Sequence, residues 1–194
     1  MTCQSFEASE RRADANTRAV ESDESHIALA MKELKNTGWY WGSLTANGAK
    51  EILQDATEGT FLLRDSSQRD YLFTISAVTS AGPTNLRIEY KHGKFKLDSI
   101  VLVKPKLKQF DSVVHLVEHY FKLSRNSDMT TMDCQPSAST NGTVQLILTK
   151  PLYTSTPSLQ HLSRIAINRR TQQIQALPLP NRLKDYLLDY TYNV

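Results

Sequence analysis

Glu58-Gly59-Thr60-Phe61-Leu62-Leu63-Arg64-Asp65-Ser66-Ser67 is the stretch that decides how this chain folds. Phe61, Leu62 and Leu63 form a short apolar run behind a glycine turn, which reads as a strand buried on both faces. Arg64 closes the run. A guanidinium at the end of a buried strand needs an anion, and Asp65-Ser66-Ser67-Gln68-Arg69-Asp70 sets hydroxyls and backbone N–H groups beside it. Two partners fit: an internal carboxylate, Asp65 or Asp70, or an external phosphate gripped by the planar fork and ringed by small hydroxyl residues. Depth selects among phosphates, because an arginine at the floor of a pocket favours phosphotyrosine, which is long, over phosphoserine, which is short.

Working outward, Gly38-Trp39-Tyr40-Trp41-Gly42 precedes a helix after Thr45 with Ala49, Ile52 and Leu53 facing inward. Tyr71–Ser76 and Leu86–Tyr90 alternate as strands around a turn at Ala81-Gly82-Pro83, and Lys94–Leu97 is a further strand. Phe110–Leu123 is a strong helix with Phe110, Val113, Val114, Val117, Tyr120 and Phe121 inside. His115-Leu116-Val117-Glu118-His119 in it matches an inverted zinc-protease pattern, but no third ligand or cleft accompanies it, so a solvated histidine pair is the expectation and no metal or other cofactor is assigned. Ser124–Asn141 reads as a long loop before a strand at Val144–Leu148. Lys104, Lys106 and Lys108 either line a groove or sit in a solvated loop.

Residues 1–24 are polar and predict a disordered tail; residues 25–38 hold a helix capped by Ser25, with Ile27, Met31 and Leu34 at helical spacing. That helix either braces a binding edge or merely docks. Hydrophobic residues at 40% and charged residues at 22% are ordinary for a soluble globular chain, and a net charge of +3 is too mild to argue for nucleic acid. Residues 1–24 carry three arginines against six acids, net −3, while 25–150 carry fifteen bases against twelve acids, net +3. The basic part is where an anion would dock. Only Cys3 and Cys134 are present, no apolar leader opens the chain, and no run is long enough to span a bilayer; a cytoplasmic protein without membrane insertion is expected. The sequon Asn141-Gly142-Thr143 is then idle.

Past Leu148 a segment of about forty residues begins, too short to bury a core of its own. Ser158 can cap a helix with Leu159, Leu162 and Ala166 on one face. Asn181 can cap another with Leu183, Tyr186, Leu187 and Tyr190 at i, i+3, i+4, i+7. Such faces need an external partner or the flank of the preceding domain. Leu177-Pro178-Leu179-Pro180 between them is stiff and extended.

The pairing of GWYWG with GTFLLRDSS resembles an SH2 domain over Trp39–Leu148, and the C-terminal segment resembles the box that ends proteins of the suppressor of cytokine signalling family. The resemblance implies an α+β fold: residues 39–150 as an SH2 domain, a central antiparallel sheet flanked by two helices, preceded by the N-terminal helix and followed by an all-helical SOCS box at 151–194. It implies phosphotyrosine binding by Arg64, Ser66 and Ser67, with Thr74 and Arg87 facing the ring. Asn47 stands where many SH2 domains carry a second arginine, which makes Arg87 the second cation, and Asn85 stands where histidine is common. The loop Ser124–Gly142 is expected to set sequence preference after the phosphotyrosine. In the box, Leu159, Leu162 and Ser163 are expected to meet elongin C, which comes with elongin B. Leu177, Pro178 and Pro180 are expected to steer a cullin, usually type five, with its RING protein. Ser163 replaces a usual cysteine, which predicts weaker elongin binding. The implied role is a non-catalytic receptor subunit of a ubiquitin ligase that damps JAK-STAT signalling from cytokine or growth-hormone-type receptors; the alternative is an adaptor that only blocks docking sites. A kinase-inhibitory segment has no obvious counterpart. An enzyme reading fails on Cys134, which has no phosphate-cradling arginine beside it, and on the lack of a Gly-rich nucleotide loop.

Overall fold

A computed structural model describes residues 23–98, 108–130, 146–192 and 194, with the backbone alone for 126–130. The first 22 residues of the expected 1–24 tail, Lys104 and Lys106, both cysteines, the sequon and the loop from residue 131 lie outside the described residues; Asp23 and Glu24, expected in that tail, are helical.

Among the described residues five strands make one sheet in the order β4-β3-β2-β1-β5. β1 (Thr60–Asp65), β2 (Phe73–Thr79), β3 (Gly82–Lys91) and β4 (Lys94–Leu97) run antiparallel, and β5 (Lys150–Pro151) pairs parallel to β1. Two apolar clusters divide the faces of β1 by its period of two. Phe61 and Leu63 join Ile75, Ile88, Phe95, Trp39 and Leu34. Leu62 instead joins Ala49, Leu53 and Val78. The apolar run is therefore buried on both sides, as its composition predicts.

Helices cover both faces. α2 (Ala46–Leu53), capped by the Thr45 side chain, lies over the Leu62 face, while α1 (residues 23–35) and α3 (Val113–Thr130) supply Leu34, Val114, Val117 and Phe121 to the other. Gly59 turns the chain into β1 at φ +82°, and a Cβ there would sit 2.2 Å from Thr149 Oγ1. Its carbonyl accepts from both Thr149 N and Lys150 N. Only glycine fits that crossing.

Several boundaries differ from the sequence reading. Ser25 lies inside α1, which is already helical at residue 23, so it is no cap. Ile52 points outward at 39% exposure. Phe110 precedes α3 and bridges to Phe95. α3 continues to Thr130, absorbing the start of the expected loop. Residues 146–148 are not a strand. Leu148 N donates to Ser124 Oγ at 2.9 Å and Thr149 N to Gly59 O, so these amides leave the sheet and pairing begins at Lys150.

The C-terminal segment holds α4 (Leu159–Arg170), a 3₁₀ turn (Ile174–Ala176) and α5 (Asn181–Leu188). Ser158 caps α4, accepting from His161 N at 3.1 Å. Asn181 is the first residue of α5 rather than its cap; Pro180 holds that position without a side-chain bond. Arg164 is buried between two rings, its Cζ 4.3 Å from the Tyr186 centroid and 4.8 Å from that of Tyr190. Asn168 Nδ2 donates to Tyr190 O at 2.6 Å. Val194, fully buried, belongs to the main cluster, and Arg169 sits over Phe121 of α3 at 5.9 Å. The flank of the preceding domain is thus one partner of this segment.

Candidate functional site

Register assembles the pocket. Arg64 lies opposite Thr74, and Thr74 opposite Arg87, so the three form a row across β1, β2 and β3. One pair further along, Leu62, Ser76 and Asn85 form the next row. Both rows share the α2 face, because the alternate residues Phe73, Ile75, Leu86 and Ile88 fill the other cluster.

Arg64, 3% exposed, is held by neutral acceptors. Its Nε donates to Ser76 Oγ, Nη1 to Asp65 O and Nη2 to Asn85 Oδ1, each at 3.0 Å. Ser76 Oγ also donates to Asn85 Oδ1 at 2.7 Å, which fixes that amide. Three of the five guanidinium N–H groups are engaged, which leaves one on each terminal nitrogen for a ligand. Burial pushes the Arg64 pKa below its usual value, since desolvation disfavours the cation. An anion restores that loss. Of the two internal carboxylates weighed from the sequence, Asp65 and Asp70, the first is occupied elsewhere: Asp65 accepts from the Tyr40 hydroxyl, whose pKa rises through burial and through that bond.

A cavity of about 310 Å³ opens over this arginine, lined by Arg64, Ser66, Ser67, Thr74 and Arg87, all five expected pocket residues. Ser66 N bonds Leu72 O and Ser66 Oγ accepts from Gln68 N, so the loop curls over the cavity. The α2 residue in the lining is Ala46; Asn47 is exposed and does not line it. Gln68, Asn85, Leu86 and Asp98 complete the wall. Asp98 pairs with Arg87 Nη2 at 2.7 Å and accepts from the Tyr71 hydroxyl at 3.0 Å, a bond that raises the Tyr71 pKa. Arg87 also donates to Gln68 Oε1 at 2.6 Å and stacks 4.7 Å over the Tyr71 ring. Period-two alternation from Thr74 and Arg87 would have flagged Ser76 and Asn85. No local signal marks Asp98.

The second surface lies on α4. Leu159 is 81% exposed and Leu162 43% exposed, with Ser163 and Ala166 exposed beside them, while Arg164, Ile165 and Asn168 face inward. Leu177 and Pro180 are extended, with ψ of 142° and 147°. The apolar face expected on α5 divides: Leu187 and Tyr190 are buried, whereas Leu183 is 45% exposed. Among the described residues no group of three or more His, Cys, Asp or Glu is placed to hold a metal, and no helix is long and apolar enough to cross a membrane.

Comparison with known proteins matches the SH2 domain at residues 39–120 and the SOCS box at 155–188. The human protein "Suppressor of cytokine signaling 2" is 61% identical over 170 residues, covering 88% of this chain and 83% of that protein. The mouse protein of the same name is equally similar, at 61% over 170 residues with the same coverage. The "Cytokine-inducible SH2-containing protein" of Gallus gallus is 44% identical over 188 residues, covering 92% of this chain and 76% of that protein.

Proposed function

The chain belongs to the suppressor of cytokine signalling family, and on that footing we propose that it is the phosphotyrosine-reading subunit of an elongin B/C–cullin–RING ubiquitin ligase. Its SH2 domain, residues 39–150 in this reading, captures a phosphorylated tail of a cytokine or growth-hormone-type receptor. Its box, residues 151–194, brings the ligase. The outcome is negative feedback on JAK-STAT signalling in the cytoplasm.

The observation that carries the first half is Arg64, buried on neutral partners with two donors left for an anion. A tetrahedral phosphate on those donors, with Ser66 and Ser67 alongside and Thr74 and Arg87 toward the ring, satisfies the site. The second half rests on α4. A helix that only packed on the SH2 domain would hide its apolar side chains, yet Leu159 stands 81% exposed with Leu162 one turn on. We assign Leu159, Leu162 and Ser163 to elongin C, and Leu177, Pro178 and Pro180 to the cullin. No residue of this chain takes a catalytic role in the proposal; its contribution is effective concentration, turning a diffusional encounter of ligase and receptor into a tethered one.

Co-expression with elongins B and C tests it. A soluble ternary complex that binds a tyrosine-phosphorylated receptor peptide and ignores its unphosphorylated twin is the expected result. Phosphopeptide binding without elongin association would leave the docking-site blocker instead.

A further inference from the structure

Two arginines line the pocket, and their surroundings differ. The partners of Arg64 are neutral, whereas Arg87 meets a carboxylate, Asp98, at 2.7 Å. Asp98 is itself fixed: its N–H donates to Arg87 O at 2.9 Å, and its Oδ2 accepts from Tyr71. Its side chain is 16% exposed, so solvent screens it weakly. The sequence motifs of the pocket do not include it.

We propose that Asp98 is a resident anion of the pocket that competes with the incoming phosphate for Arg87 and thereby lowers the affinity of the socket. The inference rests on the phosphotyrosine reading above. In the structure the Arg87 fork is shared between Asp98 and Gln68 while its face lies on Tyr71. An aryl phosphate entering over Arg64 brings about two negative charges beside a fixed carboxylate in the same wall. Repulsion from that carboxylate offsets part of what the two arginines gain. When Arg87 turns to the phosphate, the Tyr71 hydroxyl still holds Asp98 Oδ2 in the wall. The pocket then exchanges its ligand faster than two uncompensated arginines would allow, which suits a receptor that must release one tail and sample another.

The test uses the full chain, titrated with phenyl phosphate, phenyl sulfate and phenol and followed by NMR shifts of pocket amides. Asp98→Asn should bind phenyl phosphate about five- to tenfold tighter, from loss of one like charge several ångströms away. Phenyl sulfate, a monoanion, should gain only about two- to threefold, because the repulsion scales with ligand charge. The dependence of log affinity on log salt should steepen by about one ion, and Asp98→Glu should keep wild-type values. Asp98→Ser serves beside Asp98→Asn in case either variant loses its dispersed spectrum. Weaker binding in the neutral variants, or an unchanged salt slope, overturns the proposal and leaves Asp98 as a prop for Arg87. A wild-type pocket that takes phenyl phosphate no better than phenol overturns the phosphotyrosine reading itself, and this inference with it.

Discussion

The hydroxyl of Tyr192 donates to the carboxylate of Glu33 at 3.4 Å, joining positions 159 residues apart. Ser112, just ahead of α3, shares the junction, donating to Glu33 at 2.5 Å and meeting the Tyr192 hydroxyl at 3.2 Å. The N-terminal helix, the long helix of the SH2 domain and the end of the box therefore converge on one half-buried cluster. Removing the Tyr192 hydroxyl with Tyr192→Phe should cost about 1 kcal/mol, the usual net value of such a bond. Urea unfolding should show the lower midpoint in a single transition; two separated transitions would mean that the box unfolds on its own.

Arg64→Lys should lower phosphopeptide affinity by about 1.5–3 kcal/mol, or roughly ten- to hundredfold, as a point charge replaces a fork. Calorimetric titration with a phosphorylated peptide and its unmodified twin checks it. Undiminished affinity would sink the socket argument.

Leu159→Ala removes an exposed side chain, so the free chain should keep its stability within about 0.5 kcal/mol. Elongin C should nonetheless fail to co-purify. Retained elongin binding, measured beside an unchanged melting temperature, would move the contact off this helix.

Arg164→Ala opens the space between Tyr186 and Tyr190 and leaves Tyr186 O without its donor at 3.3 Å. A loss of about 1–3 kcal/mol is expected for a buried donor and its packing together. Its signature in hydrogen exchange should be confined to α4 and α5.

His161 and His119 both sit below the ordinary histidine pKa, chiefly through burial, with Arg164 adding to the first and Lys108 to the second. In the unfolded chain each takes a proton near pH 6.5, before the folded state does. The unfolded state thus binds more protons in that window, and stability present above about pH 6.5 should fall as pH drops toward the lowered folded values. His161→Gln should flatten the decline between about pH 7 and 5.5; an unchanged slope would clear His161 of the effect.

Much of this was legible in the sequence because it is local. Phe61–Leu63 alternates into two clusters, Arg64 follows as the strand's last buried side chain, and Ser158 caps α4 through a bond three residues long. What escaped depends on distant partners. Leu148 leaves the sheet because its amide goes to Ser124, and no propensity encodes that exchange. Ala46 rather than Asn47 lines the pocket because the start of α2 is set by the Thr45 cap. Asp98 reaches the pocket only by pairing with Arg87 on the neighbouring strand. Val194 and Tyr192, at the far end of a segment too short for a core, borrow one from helices read as belonging elsewhere.

β5 is only two residues long, Lys150–Pro151, yet it pairs with Thr60 and Phe61 on the very strand that ends in Arg64. The next residue is bound too, Leu152 N donating to Phe61 O at 2.7 Å and Leu152 O accepting from Trp41 Nε1 at 2.9 Å. The link between socket and box is therefore a bracket and not a string. In the proposed assembly, whatever docks on Leu159 would be presented at a set height and heading relative to a tail held by Arg64, so reach would become selection: lysines on a captured receptor would differ by where they fall along that fixed span, not merely by how near they drift.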